Sequence, residues 1–236
     1  MDVGVWPAAS GLREVPLFDG LDPRTRARLE AISETVAVSP RTELFRQGET
    51  PTALHFLLQG QAILSGTAPD GSQAVIEVLT PGAAFVVASV LVDQAYLMSA
   101  STVTSARVLK LRAAPLRALI RTEPQIAFAL MGMLARNYRS MTRQVRDLKL
   151  RTATQRLACY LISLVTDREA KSARLRLPFH KALLAGRLGC RQDSLSRAFA
   201  VLRDLGVETS GATIMVNDVP RLRAYAMPDE LAEEAA

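Results

Sequence analysis

Residues 183–207, LLAGRLGCRQDSLSRAFAVLRDLGV, constrain this chain more than any other stretch. Leu184, Leu188, Leu195, Phe199 and Leu202 recur at helical spacing on both sides of Gly189. That pattern reads as a helix, a tight turn at Gly189 and a second helix starting near Arg191. The second helix opens with Arg191, Gln192, Asp193, Ser194, Ser196 and Arg197. If its N-terminal end enters a major groove, such side chains reach base edges and phosphates. The segment therefore predicts a helix-turn-helix and sequence-specific DNA binding. A helical hairpin packed for structure alone has the same apolar spacing, so the surrounding chain must decide.

Charge supports the DNA reading. The chain carries a formal +6 over 236 residues, unevenly spread. Residues 1–150 hold a net +3, residues 151–227 a net +7, and the tail 228–236 a net −4. The basic excess sits with the helix-turn-helix, as a polyanion partner requires.

The first half reads as short strands. Asp22 as N-cap and Pro23 at the first position predict a helix to about Ile32. Alternating or apolar runs follow at Thr35–Val38, Leu44–Phe45, Leu54–Leu58, Ala62–Ser65, Ala74–Leu79, Ala100–Thr104 and Arg107–Leu111. Gln47-Gly48-Glu49, Gln59-Gly60, Pro69-Asp70-Gly71 and Pro81-Gly82 punctuate them. Strands at this spacing predict a β-barrel or jelly roll over residues 1–123.

A short helix, Ala114–Arg121, precedes a long one opened by Pro124 and reaching about Leu150. Within the long helix Ala127, Met131, Leu134, Tyr138, Met141, Val145 and Leu148 keep steps of four and three. This is a three-heptad seam, and its sustained period predicts a two-fold dimer interface. Arg136, Arg139, Arg143, Arg146 and Lys149 lie outside it. Residues 151–236 then form the third region. It holds a helix at Thr152–Val165, a polar loop at Asp167–Arg174, the helix-turn-helix, a hairpin wing around Ser210-Gly211 and the acidic tail. The fold class is α+β.

Several classes are disfavoured. The longest apolar run, Ala83–Val92, is too short for a bilayer, which needs roughly 20 residues. With no basic start or apolar core of a signal peptide, the N-terminus predicts a soluble, cytoplasmic protein. Cys159 and Cys190 stand alone and read as small buried residues. Two histidines, and no phosphate-binding, nucleophile-elbow or His-Glu-x-x-His motif, argue against an enzyme. A ligand-binding module acting on a protein partner is the remaining alternative, and the basic C-terminal region argues against it.

Leu44-Phe45-Arg46-Gln47-Gly48-Glu49, Leu54–Gly60 and Asp70-Gly71 in the first half, with Leu188-Gly189-Cys190 and Asp193-Ser194-Leu195-Ser196-Arg197 in the second, resemble the CRP/FNR superfamily of bacterial transcription regulators. The resemblance spans about Leu17–Met227. It implies a cyclic-nucleotide-binding-like jelly roll, a long dimerisation helix and a C-terminal winged helix-turn-helix. It also implies double-stranded DNA, a second copy of the chain, RNA polymerase and a small effector as partners. Asp193, Ser196 and Arg197 take the positions of the base-reading motif, with Arg191 and Gln192 beside them. Arg197 can donate two hydrogen bonds to guanine, and Asp193 can accept from cytosine. Ser196 before the arginine is similar to the FNR branch, which implies a TTGAT-like half-site.

The effector site implied by the resemblance comprises Phe85, Val87, Ala88, Tyr96, Met98, Ser99 and Tyr138. The acidic and arginine positions of the cyclic-AMP branch hold Ala88 and Met98 here, so nothing neutralises a cyclic phosphate and cyclic AMP is not expected. No cysteine occurs in residues 1–50, so no iron–sulfur cluster is expected. The remaining surface is apolar, including Val86, Val90, Leu91 and Leu97, and is similar to the nitric-oxide-responsive DNR-like branch. That similarity makes haem a candidate cofactor, with His55, Met98 or Tyr96 as candidate axial ligands.

Overall fold

The structure is a computed structural model describing residues 11–167, 169–178 and 180–227; the acidic tail lies outside the described residues. The chain divides into two compact units, residues 1–138 and 139–236. Among the described residues no helix is long and apolar enough to cross a membrane.

In the first unit, a 3-10 turn at Pro16–Phe18 leads to helix α1 (Pro23–Glu30). Its N-cap is Asp22, whose carboxylate accepts from the Arg24 and Thr25 backbone N–H groups. The helix stops at Glu30, short of the predicted Ile32, because the chain must be extended by Ser33 to pair with Leu111.

Eight strands follow: β1 (Ser33–Val38), β2 (Glu43–Phe45), β3 (Ala53–Gln59), β4 (Ala62–Thr67), β5 (Gln73–Leu79), β6 (Ala84–Phe85), β7 (Ser99–Thr102) and β8 (Ala106–Arg112). They form two antiparallel four-stranded sheets, ordered β1-β8-β3-β6 and β2-β7-β4-β5. Among the described residues no ladder joins the two sheets, so they form an open jelly-roll-like pair and not a closed barrel.

Strand β3 is buried on both faces, which explains its unbroken apolar run. Phe56 meets Phe18 edge-on at 5.5 Å, while His55 meets Phe45 of the other sheet at 5.3 Å. Strand β6 and the short helix α2 (Val87–Val92) arise from the apolar run Ala83–Val92, for which the sequence predicted no element. Helix α3 (Ala113–Thr122) and the first half of α4 (Pro124–Leu150) close this core with Leu116, Leu119, Ile126, Leu130 and Met133.

The second unit takes in the C-terminal end of α4. Helix α5 (Ala153–Ser163) starts with a capping box between Thr152 and Gln155. Then come β9 (Ala173–Arg176), α6 (Lys181–Arg187), α7 (Gln192–Arg203), β10 (Val207–Ser210), β11 (Thr213–Val216) and α8 (Val219–Ala226). The wing is a three-stranded sheet ordered β10-β11-β9. The sequence predicted only its hairpin and took the start of β9 for loop. Pairing of Leu175 with Ile214 makes β9 a strand and buries Leu175. Helix α8, also unpredicted, packs on α5 and buries Val219, Leu222 and Ala226.

Candidate functional site

Helices α6 and α7 are held at their turn by an arginine from α5. Arg156 Nε donates to the Leu188 carbonyl at 2.8 Å, and Nη2 to the Gly189 carbonyl at 3.3 Å. Arg156 Nη1 donates to the Arg151 carbonyl at 2.7 Å, tying the end of α4 to the same turn. Carbonyls at a helix C-terminus lack intrahelical donors, and a guanidinium supplies them with charge-assisted bonds. Gly189 adopts φ +59°, and the Cys190 N–H donates to the Ala185 carbonyl at 3.0 Å. Lys181 Nζ lies 5.1 Å from the centre of the Phe199 ring, joining the two helices from the other side. Arg156 was not singled out by sequence reasoning, and nothing in its local pattern marks it.

Helix α7 buries Leu195, Ala198, Phe199 and Leu202. Its opposite face exposes Arg191, Gln192, Asp193, Ser196 and Arg197; Ser194 is half-buried. All six residues expected to read DNA thus cluster at one helix N-terminus, five of them open to solvent. Asp193 and Arg197 stand four residues apart, and among the described residues they form no ion pair, so the guanidinium faces solvent. Helix α6 starts after His180, which occupies the N-cap position but makes no side-chain cap.

The wing adds two exposed arginines, Arg174 and Arg176. Arg174 pairs with Met215, and Met215 with Glu208, so these three form one cross-strand row. Period-two alternation in Arg174-Leu175-Arg176-Leu177 carried this signal in the sequence, hidden inside a polar stretch.

In the first unit, the expected effector residues separate into two groups. Phe85, Val87 and Tyr96 are buried, and Met98 is half-buried against the core. Ser99 is half-buried and its hydroxyl accepts the Gln47 N–H at 2.9 Å. Ala88 instead faces solvent on α2, because its neighbours Val87 and Val90 take the inner side of that helix. Leu97 is 78% exposed and Tyr138 73% exposed, so neither lines an interior site in the single chain. Arg107, on β8, makes two hydrogen bonds to Glu14 at 2.8 and 3.0 Å.

The interior between the sheets is an aromatic cage. Tyr96 stacks on Phe45 at 4.1 Å, and His55 lies nearly parallel to Phe85 at 6.0 Å. The Tyr96 hydroxyl donates to the Ala53 carbonyl at 3.1 Å. His55 is 3% exposed, and its Nδ1 has no hydrogen-bond partner among the described residues. Burial, aided by the nearby Lys110 ammonium and opposed by the Ala53 carbonyl, lowers its pKa to about 4. The ring is therefore neutral at pH 7. Leaving such a buried acceptor unpaired costs about 1–3 kcal/mol.

Phe85 is followed by a second unfavourable feature. Val86 has φ +44° and ψ +42°, a left-handed conformation that a β-branched residue enters at a cost of about 1–3 kcal/mol.

This arrangement does not fit haem. An axial ligand must present a lone pair to a space that admits a macrocycle. His55 Nδ1 is enclosed among side chains, the Tyr96 hydroxyl is spent on Ala53, and Met98 packs against the apolar core.

Comparison with known proteins agrees with this two-part architecture. Residues 35–123 match the cyclic nucleotide-binding domain family, and residues 155–225 match the Crp-like helix-turn-helix domain family. The CRP-like cAMP-activated global transcriptional regulator of Mycobacterium tuberculosis is 24% identical over 89% of this chain and 96% of its own. The cyclic AMP receptor protein of Thermus thermophilus is 27% identical over the same shares, 89% and 96%. A solved structure from Ruegeria pomeroyi, a candidate cyclic nucleotide binding protein, is 30% identical over 94% of this chain and 98% of that one, with a TM-score of 0.61. These relatives are regulators and binding proteins, not enzymes. On the strength of both matched domains in this order, the chain belongs to the CRP/FNR superfamily of transcription regulators.

Proposed function

We propose that the protein is a homodimeric, cytoplasmic regulator that binds a palindromic, TTGAT-type DNA site, works with RNA polymerase and responds to a small effector. The observation that carries this reading is the solvent-facing cluster Arg191, Gln192, Asp193, Ser196 and Arg197 on α7, steadied by Arg156 at the turn. A groove-entering helix end needs polar donors and acceptors on one face and an apolar anchor on the other.

Dimerisation through α4 is supported by its seam. Met131, Tyr138, Met141, Val145 and Leu148 are each about half exposed or more, and Leu134 is half-buried. A second copy laying its own seam alongside would cover this stripe. In such a dimer the two recognition helices would address half-sites about 34 Å apart.

Cyclic AMP is not the proposed effector, although relatives named as cAMP-activated share the architecture. The segment 86–99 holds no basic residue, and Arg107 is engaged by Glu14. A cyclic phosphate would be left without a counter-charge.

Fluorescence anisotropy with a TTGAT-N4-ATCAA duplex, against a scrambled duplex at matched salt, tests the DNA reading. Binding of the palindrome at least about a hundredfold tighter than the scramble is expected. Equal affinity for both would reduce the protein to a non-specific polyanion binder.

A further inference from the structure

Within the regulator reading above, we propose that the closed aromatic cage at His55 is the effector site, and that it takes a small uncharged aromatic molecule bearing one hydrogen-bond donor, which His55 Nδ1 accepts. Three observations converge there. First, His55 is buried and its Nδ1 has no hydrogen-bond partner among the described residues, so the neutral ring can offer that nitrogen's lone pair to a donor. Native structures seldom leave a buried acceptor unmet, so this one calls for an explanation. Second, its surroundings are rings: Phe45 at 5.3 Å, Phe85 at 6.0 Å, and Tyr96 stacked on Phe45. Such walls favour a flat apolar guest over an ion. Lys110 pairs with His55 across the β3–β8 ladder.

Third, the wall formed by Phe85 lies at a sheet edge: β6 is a two-residue strand paired with β3 through His55–Phe85 and Phe56–Ala84, with Leu57 bonding the Gly82 and Ala83 backbone just before it. The next residue, Val86, is held in the left-handed region. An unpaired acceptor and a strained backbone lie side by side, and a ligand that moves Phe85 aside can relieve both. Differential relief of this kind is what shifts a two-state equilibrium.

The full-length His180→Gln protein, labelled with 15N-histidine, makes a direct test. The chain has only two histidines, and His180 is exposed, so the remaining signals belong to His55. Indole is the probe, and benzofuran, which replaces its N–H with oxygen, is the control. A saturable shift of the Nδ1 resonance with indole, and binding of benzofuran about tenfold weaker or worse without that shift, is expected. The site is overturned if Nδ1 does not respond to indole, if both probes bind alike, or if Nδ1 is already hydrogen-bonded to an internal water. DNA affinity measured on the same sample separates the two readings. Specific DNA binding with no indole response sinks the cage alone, and indole binding without specific DNA binding sinks the regulator.

Discussion

Leu148 lies directly against Gly189: a Cβ built on the glycine would stand 2.4 Å from Leu148 Cδ2. The last turn of α4 thus seats on the turn between α6 and α7, and a side chain at position 189 would have to push the Leu148 side chain aside. Gly189 also needs its left-handed φ of +59°. Gly189→Ala should therefore destabilise the second unit by about 1–2 kcal/mol from the backbone alone, with a further steric cost. Thermal melting by circular dichroism reads the effect. Adding Leu148→Ala should recover the steric part only; full recovery would mean the backbone conformation costs nothing, contrary to this assignment.

Arg156 and Arg197 should respond differently to truncation. Arg197→Ala should cost about 1–3 kcal/mol on the cognate palindrome and relax discrimination at one base pair. Uniform weakening on every sequence would make Arg197 a phosphate contact. Arg156→Met removes the donors from the Leu188 and Gly189 carbonyls. It should weaken specific binding while leaving discrimination among base substitutions intact, because it positions α7 and does not read bases. Anisotropy on a panel of single-base variants distinguishes the two patterns.

The helix-turn-helix and the long helix were legible because their apolar spacing is local and sustained. Leu184, Leu188, Leu195, Phe199 and Leu202 are buried as a 3.6-residue period requires, whereas in the long helix the buried face is Ile126, Leu130 and Met133, beside the seam that the spacing marked. The effector site was less so. Ala88 was placed by the family's spacing, but which side of α2 faces inward depends on how Val87 and Val90 dock into the sheets. Strand β9 escaped because its alternation, Arg174-Leu175-Arg176-Leu177, is short and continues a polar stretch, and only the pairing of Leu175 with Ile214 makes it a strand. Arg156 escaped for a related reason: its partners lie 32 and 33 residues away, and no short pattern encodes them.

Tyr138 is 73% exposed at the middle of the α4 seam. Tyr138→Asp would set a charge inside the proposed dimer interface, and truncated or unpaired buried charges cost several kcal/mol. Sedimentation velocity at micromolar concentration should show a monomer for this variant and a dimer for the unsubstituted protein. A dimer of unchanged stability would reject the seam. Binding to a single half-site should persist weakly, since α7 is untouched.

His55 gives the protein a pH dependence whose sign is set by its lowered pKa. The folded-state value is about 4, against 6.5 for an unperturbed imidazole. Between those values the unfolded chain binds the proton more readily, so stability rises with pH across that window. The contribution is complete above about pH 6.5 and is lost progressively as pH falls towards 4, amounting to roughly 3 kcal/mol by linkage. His180 is exposed, and the carboxylates Asp22 and Asp70, whose pKa values are lowered from 3.8, titrate below this window. His55→Leu keeps a similar volume and removes the titrating group. Its unfolding midpoint should change much less between pH 7 and pH 4.5 than that of the unsubstituted protein. Parallel pH profiles would place His55 in a solvated site, and the closed cage around it could not then stand.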